Sequence, residues 1–187
     1  ELLPVKEQSS VNGYVKQLFN HLETIYEGCF LLRELSPKTL AKVSSFGELL
    51  SSYIISQAAN ESFKAVYKDT RELIVASDNY NNALVDFSAT FKNCQEYFSS
   101  RSQKVTIVPG FVARTINGKT TTLGRGGSDF TAAIISAALD CSELQIWTDV
   151  SGMFTANPSI VKQASVIDHI SYHEAMELSH FGAKVIY

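Results

Sequence analysis

The chain has 187 residues, 45% of them hydrophobic and eleven of them phenylalanine, which fits one globular domain with a sizeable core and excludes a disordered chain. A formal charge of −3, with no long run of one sign, argues against a dedicated nucleic-acid or anionic-membrane partner and leaves small-molecule chemistry. Cys29, Cys94 and Cys141 fit no metal or redox spacing and are expected to be buried reduced thiols of a cytoplasmic protein. No apolar run reaches the roughly 18 residues of a membrane span, and no secretory signal is visible. The chain opens at Glu1 rather than at a methionine, which raises the expectation of sequence upstream.

Val11, Tyr14, Val15, Leu18, Phe19, Leu22, Ile25 and Tyr26 recur at helical spacing and predict an amphipathic helix with one broad buried face. Ser36-Pro37 reads as an N-cap with proline in the first turn of a short helix to about Val43. Ser45-Phe46-Gly47-Glu48 matches a capping box and predicts a second helix start, continued by Leu49, Leu50, Tyr53 and Ile54. Residues 63–68 alternate like a strand, 73–76 read as another, and 78–82 form a polar break. Leu84, Phe87, Phe91, Cys94 and Phe98 mark a further helix, followed by a buried strand at 104–108. Asn117-Gly118 between the β-like runs 111–116 and 119–123 predicts a hairpin with a type I′ turn. A helix is expected at 129–139 and a strand at 144–150. After them, Thr155-Ala156-Asn157-Pro158 reads as a turn, and a last helix opens on the capping box Ser171 to Glu174 and ends near Gly182. Strands alternating with helices predict an α/β layered sandwich, its central sheet mainly parallel and flanked by helices.

Chemistry concentrates in Thr121-Thr122-Leu123-Gly124-Arg125-Gly126-Gly127-Ser128-Asp129, where a β-like run gives way to three glycines and then to a helix pattern. Glycines allow positive φ and a close approach of backbone N–H groups, and Ser128 can N-cap a helix whose positive end faces the same point. Arg125 adds a planar fork for a carboxylate or phosphate, and Asp129 would orient cations or accept a proton. The alternative is a plain strand-to-helix turn. A Rossmann fingerprint starting at Gly124 would need glycine in place of Asp129, and a Walker A loop ending in Gly118-Lys119-Thr120 would need glycine in place of Ala113. His173-Glu174-Ala175-Met176-Glu177 lacks the second histidine of a zinc-protease helix, so no metal site is expected there.

The stretch 120–129, followed by Ile146-Trp147-Thr148-Asp149-Val150-Ser151-Gly152 and by Phe181-Gly182-Ala183-Lys184-Val185-Ile186, resembles the aspartokinases of the amino acid kinase family. Ser45 to Glu48 and Pro109-Gly110-Phe111 resemble the family's other signature pieces in the right order. The resemblance covers roughly residues 36–187. It implies ATP-dependent phosphorylation of the side-chain carboxylate of L-aspartate, the first step toward lysine, threonine and methionine.

On this resemblance Arg125 would clamp the substrate α-carboxylate and Glu48 would meet its α-ammonium, with Phe111, Thr122 and Ser128 lining the pocket. The capping box accounts for Glu48 equally well, and core packing accounts for Phe111. Thr148, Asp149, Gly152 and Phe154 resemble nucleotide-contacting positions, although Asp149 could simply begin a turn. Lys184 resembles the phosphoryl-stabilising lysine, with helix-end charge as its other reading, and Asp129 the acid that organises catalytic lysines. Magnesium would bridge the nucleotide phosphates.

Two features depart from the family pattern. The opening Lys-Phe-Gly-Gly strand, with its second catalytic lysine, and the downstream regulatory domains are not among these residues, so the chain is expected to be part of one amino acid kinase domain within a larger enzyme. Loss of one transition-state charge donor would cost on the order of 10² to 10³ in rate. Ser159 stands where aspartokinases commonly carry arginine. The competing readings are a ligand-binding fragment without transferase activity and a sibling kinase with another acceptor. The resemblance also leaves room for a homo-oligomer and for a homoserine dehydrogenase fused downstream.

Overall fold

The computed structural model describes residues 5–180 and divides the chain into two compact units, residues 1–142 and 143–187. Unit one opens with two long helices, α1 (Val5–Leu32) and α2 (Pro37–Phe63). Ser36 caps α2 as expected, its hydroxyl accepting from the Thr39 amide at 3.2 Å with Pro37 in the first turn. Lys64, at φ +50, closes the helix in the left-handed region and donates its amide to the Asn60 carbonyl.

The expected second helix start at Ser45 is not observed. No helix breaker lies between Pro37 and Ser45, so the helix runs through, and the Ser45 hydroxyl donates back to the Lys42 carbonyl at 2.7 Å instead of capping. The broad buried face expected of α1 is also narrower. Val11 is buried, while Phe19 and Tyr26 are 54% and 53% exposed, because α1 rests chiefly on α2. Aromatic contacts carry that packing: Tyr14 meets Tyr53 at 4.2 Å between ring centroids, and His21 meets Phe46 at 5.8 Å.

The strands are short. They are β1 (Val66–Tyr67), β2 (Val75–Ala76), β3 (Thr106–Ile107), β4 (Val112–Thr115) and β5 (Thr120–Thr122). β1 pairs with β3 in parallel, Val66 opposite Thr106, and β2 pairs with β4 in parallel, Val75 opposite Arg114. Only β4 and β5 are antiparallel, with Val112 opposite Thr122. Helix α3 (Phe87–Ser99), capped by the Asp86 carboxylate, and helix α4 (Gly127–Ala138) pack on each other, and α2 lies against β1, β3 and β5. Helices therefore cover a mainly parallel set of strands, as the layered α/β reading requires.

The β4–β5 turn corrects one detail. The two strands pair up to the Thr115–Lys119 backbone bond, leaving a loop of residues 116–118 with Gly118 at φ +72, and Asn117 is not among the residues with positive φ. A type I′ turn needs positive φ at both central residues. The geometry here is a three-residue loop closed by a left-handed glycine.

Aliphatic residues from several elements build the core: Leu73, Ile74, Ala76, Ala113, Leu123, Ile134 and Ala138 among others. Phenylalanine contributes less than composition suggests, with Phe46 buried but Phe19, Phe30, Phe63 and Phe87 at least half exposed. Of the thiols only Cys94 is buried, which raises its pKa and leaves it unreactive; Cys29 is half-buried and Cys141 exposed.

Unit two has little regular structure. The strand expected at 144–150 does not form; Trp147 is 89% exposed, and no described segment supplies the neighbouring ladder that a strand needs. A bridge between Phe154 and Val166 closes a loop in which the Asn157 carboxamide oxygen accepts from the Ser159 amide, the turn expected there. Helix α5 (Tyr172–His180) opens on a true capping box: the Ser171 amide donates to the Glu174 carboxylate at 2.9 Å, and the Glu174 amide to the Ser171 hydroxyl at 3.3 Å. Its expected end at Gly182 lies outside the described residues.

Two tests follow from this architecture. Ile134→Ala, at a site 2% exposed, should lower unfolding free energy by about 3 kcal/mol in urea titration. Hydrogen bonds from the Ser171 side chain and backbone hold the Glu174 carboxyl below its ordinary range. A lowered folded pKa stabilises above the unfolded value and loses that stabilisation as pH falls through the folded one. Amide protection at Glu174 and Ala175 should therefore hold at neutral pH and decline below about pH 4, and Glu174→Ala should abolish that dependence.

Candidate functional site

β5 ends at Thr122, and the chain reaches α4 through Leu123, Gly124, Arg125 and Gly126. Gly124 and Gly126 sit at φ +80 and +71, and the Gly127 amide donates to the Gly124 carbonyl at 3.1 Å. The N-cap position is held by Gly126 with no side-chain cap bond, so Ser128 is not the cap that the sequence suggests; it lies inside the first turn. The reason is conformational. Two left-handed glycines turn the chain so sharply that the helix begins two residues earlier, leaving its first amides without a side-chain acceptor. Such an end attracts an anion through both its N–H groups and its dipole.

Two other segments press against this turn. The Pro109-Gly110-Phe111 segment is one: a Cβ on Gly110 would stand 2.9 Å from the Cα, Cβ and Oγ of Ser128, so only glycine fits. Phe111 adopts φ +66, uncommon for a bulky side chain, and its ring lies against Gly127, where a Cβ would come within 2.9 Å of Cδ2. The other is the loop 79–82, read from sequence only as a polar break. The Tyr80 carbonyl accepts from the Thr122 amide at 3.0 Å and from the Thr121 and Thr122 hydroxyls at 3.2 and 3.1 Å. Asn82 Oδ1 and the Asn81 carbonyl lie 3.0 and 3.1 Å from where a Gly124 Cβ would be. Sequence spacing held no signal for this strap, because some 41 residues separate the partners of each bond.

The residues singled out in the sequence divide as follows. Phe111, Thr122, Arg125, Ser128 and Asp129 gather around the turn; Thr122 is buried with its hydroxyl already engaged, Arg125 and Ser128 are exposed, and Asp129 is half-buried in the first turn of α4. Glu48 is half-buried on α2, the helix that packs on β5. Behind the strand, Arg71 forms a forked pair with Asp69, Nη2 to Oδ2 at 2.5 Å, and donates Nη1 to Thr120 Oγ1 at 3.2 Å, which ties the 3₁₀ turn Thr70–Glu72 to β5. The Asp69 hydrogen bond raises the Arg71 pKa further, and burial raises that of Tyr67 beside it, so the guanidinium stays charged and the phenol neutral.

In unit two, Ile146, Trp147, Thr148, Val150, Ser151, Gly152 and Met153 line an open cavity of about 340 Å³. The Thr148 hydroxyl donates to the Asp149 carboxylate at 3.2 Å, both residues are exposed, Gly152 is at φ +124 and Phe154 is half-buried. Lys184 lies outside the described residues.

Fold and turn together define an α/β protein with a glycine-rich strand-to-helix junction. The chain belongs to the amino acid kinase family, whose model matches residues 8–187. It is 39% identical over 180 residues to a bifunctional aspartokinase/homoserine dehydrogenase of Buchnera aphidicola, covering 95% of this chain and 22% of that one. To the lysine-sensitive aspartokinase 3 of Escherichia coli it is 34% identical over 175 residues, covering 92% of this chain and 38% of the relative. The structure of E. coli aspartokinase III in complex with aspartate and ADP superposes with a TM-score of 0.87 at 33% identity, over 95% of this chain and 40% of that one. The chain thus spans between about a fifth and two fifths of the length of these relatives.

Two glycines in the left-handed region separate backbone strain from contact. Gly118→Ala has nothing within 4 Å of its new methyl and should cost about 1 kcal/mol, whereas Gly124→Ala also meets Asn81 and Asn82 and should cost about 2 kcal/mol or more in denaturant titration. Equal losses would show that the strap does not press on the turn.

Proposed function

We propose that this chain is part of the catalytic domain of an aspartate kinase, which transfers the γ-phosphoryl group of ATP to the side-chain carboxylate of L-aspartate and forms 4-phospho-L-aspartate. The observation that carries the reading is the glycine turn at the start of α4 with Arg125 inside it, in a chain whose relatives are aspartokinases. The relative of known structure holds aspartate and ADP, and the same ligands are proposed here.

Acceptor recognition is assigned to unit one. Arg125 and the first amides of α4 receive the α-carboxylate, Glu48 the α-ammonium, and Phe111, Thr122 and Ser128 shape the wall. Nucleotide recognition is assigned to Thr148, Asp149, Gly152 and Phe154 in unit two, whose cavity is of ligand-binding size. Asp129 and Lys184 are assigned to charge at the transferring group. The family match runs through both units, which supports treating them as parts of one domain.

Magnesium fits this donor set only as a cation carried by the nucleotide. Among the described residues no group of three or more His, Cys, Asp or Glu side chains could hold a metal ion. When bound, MgATP supplies the phosphoryl group and screens its charge. The chain's own work is alignment and electrostatics, because a carboxylate is already an ionised nucleophile at neutral pH and no base is required. Its oxygen bonds to the γ-phosphorus as the β,γ-bridging oxygen departs with ADP. The reading places the enzyme in the cytoplasm at the head of lysine, threonine and methionine synthesis, acting on small molecules as a homo-oligomer.

Calorimetric titration tests the assignment. Arg125→Ala should weaken L-aspartate binding about 30-fold while MgATP affinity changes less than about threefold. Glu48→Gln should likewise weaken aspartate alone. Equal losses of both ligands in Arg125→Ala, or undiminished aspartate binding in both variants, would refute the pocket.

A further inference from the structure

We infer that Thr131 is a positioning residue for acceptor recognition, its buried hydroxyl holding Phe111 against the glycine turn; this rests on the aspartate kinase reading above. Thr131 is 3% exposed on the inner side of α4. Its hydroxyl donates to the Gly127 carbonyl at 2.7 Å, leaving its lone pairs to accept the Phe111 amide at 3.0 Å. That amide also reaches the Gly127 carbonyl, at the longer distance of 3.3 Å. On its other side Phe111 is tied by its own carbonyl, which accepts from the Leu123 amide at 2.9 Å.

Phe111 needs such a clamp. Left-handed backbone is unfavourable for a bulky residue and persists only where its surroundings over-determine it. The two bonds fix both peptide groups of the residue, and the ring is thereby set against Gly127, one residue from Ser128 and two from Arg125. A threonine in mid-helix would ordinarily bond only backward to its own turn. Here the same hydroxyl joins that turn to a separate segment 20 residues away, so loss of the oxygen frees a strained residue at the pocket wall without touching Arg125.

The test uses the full-length protein and two variants. Thr131→Val keeps shape and removes the hydroxyl; Thr131→Ser keeps the hydroxyl. The valine variant should raise KM for L-aspartate about tenfold, the worth of one net hydrogen bond, with KM for MgATP within about twofold of wild type. The serine variant should restore KM for aspartate to within about threefold. An unchanged aspartate KM in valine, a parallel rise in both substrate constants, or a serine variant as impaired as valine would overturn the inference. Where valine is not accommodated, Thr131→Ala is read by the same criteria. Hydrogen exchange separates this inference from the reading it rests on. If wild-type protein transfers no phosphoryl group to aspartate, that reading fails, yet the Phe111 amide should still lose about tenfold protection in the valine variant, and undiminished protection would overturn the clamp.

Discussion

The close approach of three backbones at the end of β5 constrains everything else in unit one. A side chain at Gly124 would press on Asn81 and Asn82, while Gly127 leaves no room for one beneath Phe111 and Gly110 none against Ser128. Each contact joins segments distant in sequence. The parallel pair β2–β4 delivers the 109–111 segment to the turn, and the strap at 79–82 follows directly from the end of β2. Burial of Ile134 and Ala138 further along the same face of α4 as Gly127 and Thr131 then sets the direction in which the helix points its first amides.

Buried hydroxyls do the joining. Thr70 donates to the Pro109 carbonyl, Thr90 accepts the Val75 amide at 3.1 Å, Thr121 and Thr122 converge on Tyr80, and Thr131 bridges Phe111 and Gly127. Short strands leave many backbone groups without a ladder partner, and an unpaired buried amide or carbonyl costs about 1–3 kcal/mol. Threonine supplies the missing partner while its methyl group packs as a small apolar residue. Among the described residues no buried side-chain polar atom lacks a hydrogen-bond partner. The core is therefore polar in places, with its described buried side-chain polar atoms all partnered, a condition under which networks rigidify a fold.

Local features were legible in the sequence where a local rule governs them. Ser36-Pro37 and Ser171 to Glu174 specify helix starts because the bonds they make lie within four residues, and the glycine triplet announced its turn for the same reason. Ser45 to Glu48 has the same serine-to-glutamate spacing as Ser171 to Glu174 but stands inside a helix already running, so its hydroxyl turned back to Lys42. Residues 144–150 have the composition of a buried strand, and composition alone cannot provide the neighbour that makes one. The family motifs pointed to Phe111 and Arg125 one by one. What holds Phe111 in place, the Thr131 hydroxyl and the Leu123 amide, has no signature in spacing, because each partner reads as an ordinary helix or strand residue until the chain is folded.

Rigidity of this kind suits the chemistry proposed for the chain. A carboxylate acceptor needs no proton removed, so a protein that phosphorylates it contributes through geometry and through charge placed before the reaction begins. A loop free to adjust would lose that advantage, since each displacement of reacting groups forfeits alignment. In unit one the alignment is set by bonds to main-chain atoms: three donors on the Tyr80 carbonyl, two acceptors for the Phe111 amide, a glycine turn pressed from behind by Asn82. Arg125 and Ser128 stand exposed at the surface of the turn, and under the proposed function acceptor choice would be tuned at such surface side chains while the buried scaffold beneath them stays fixed.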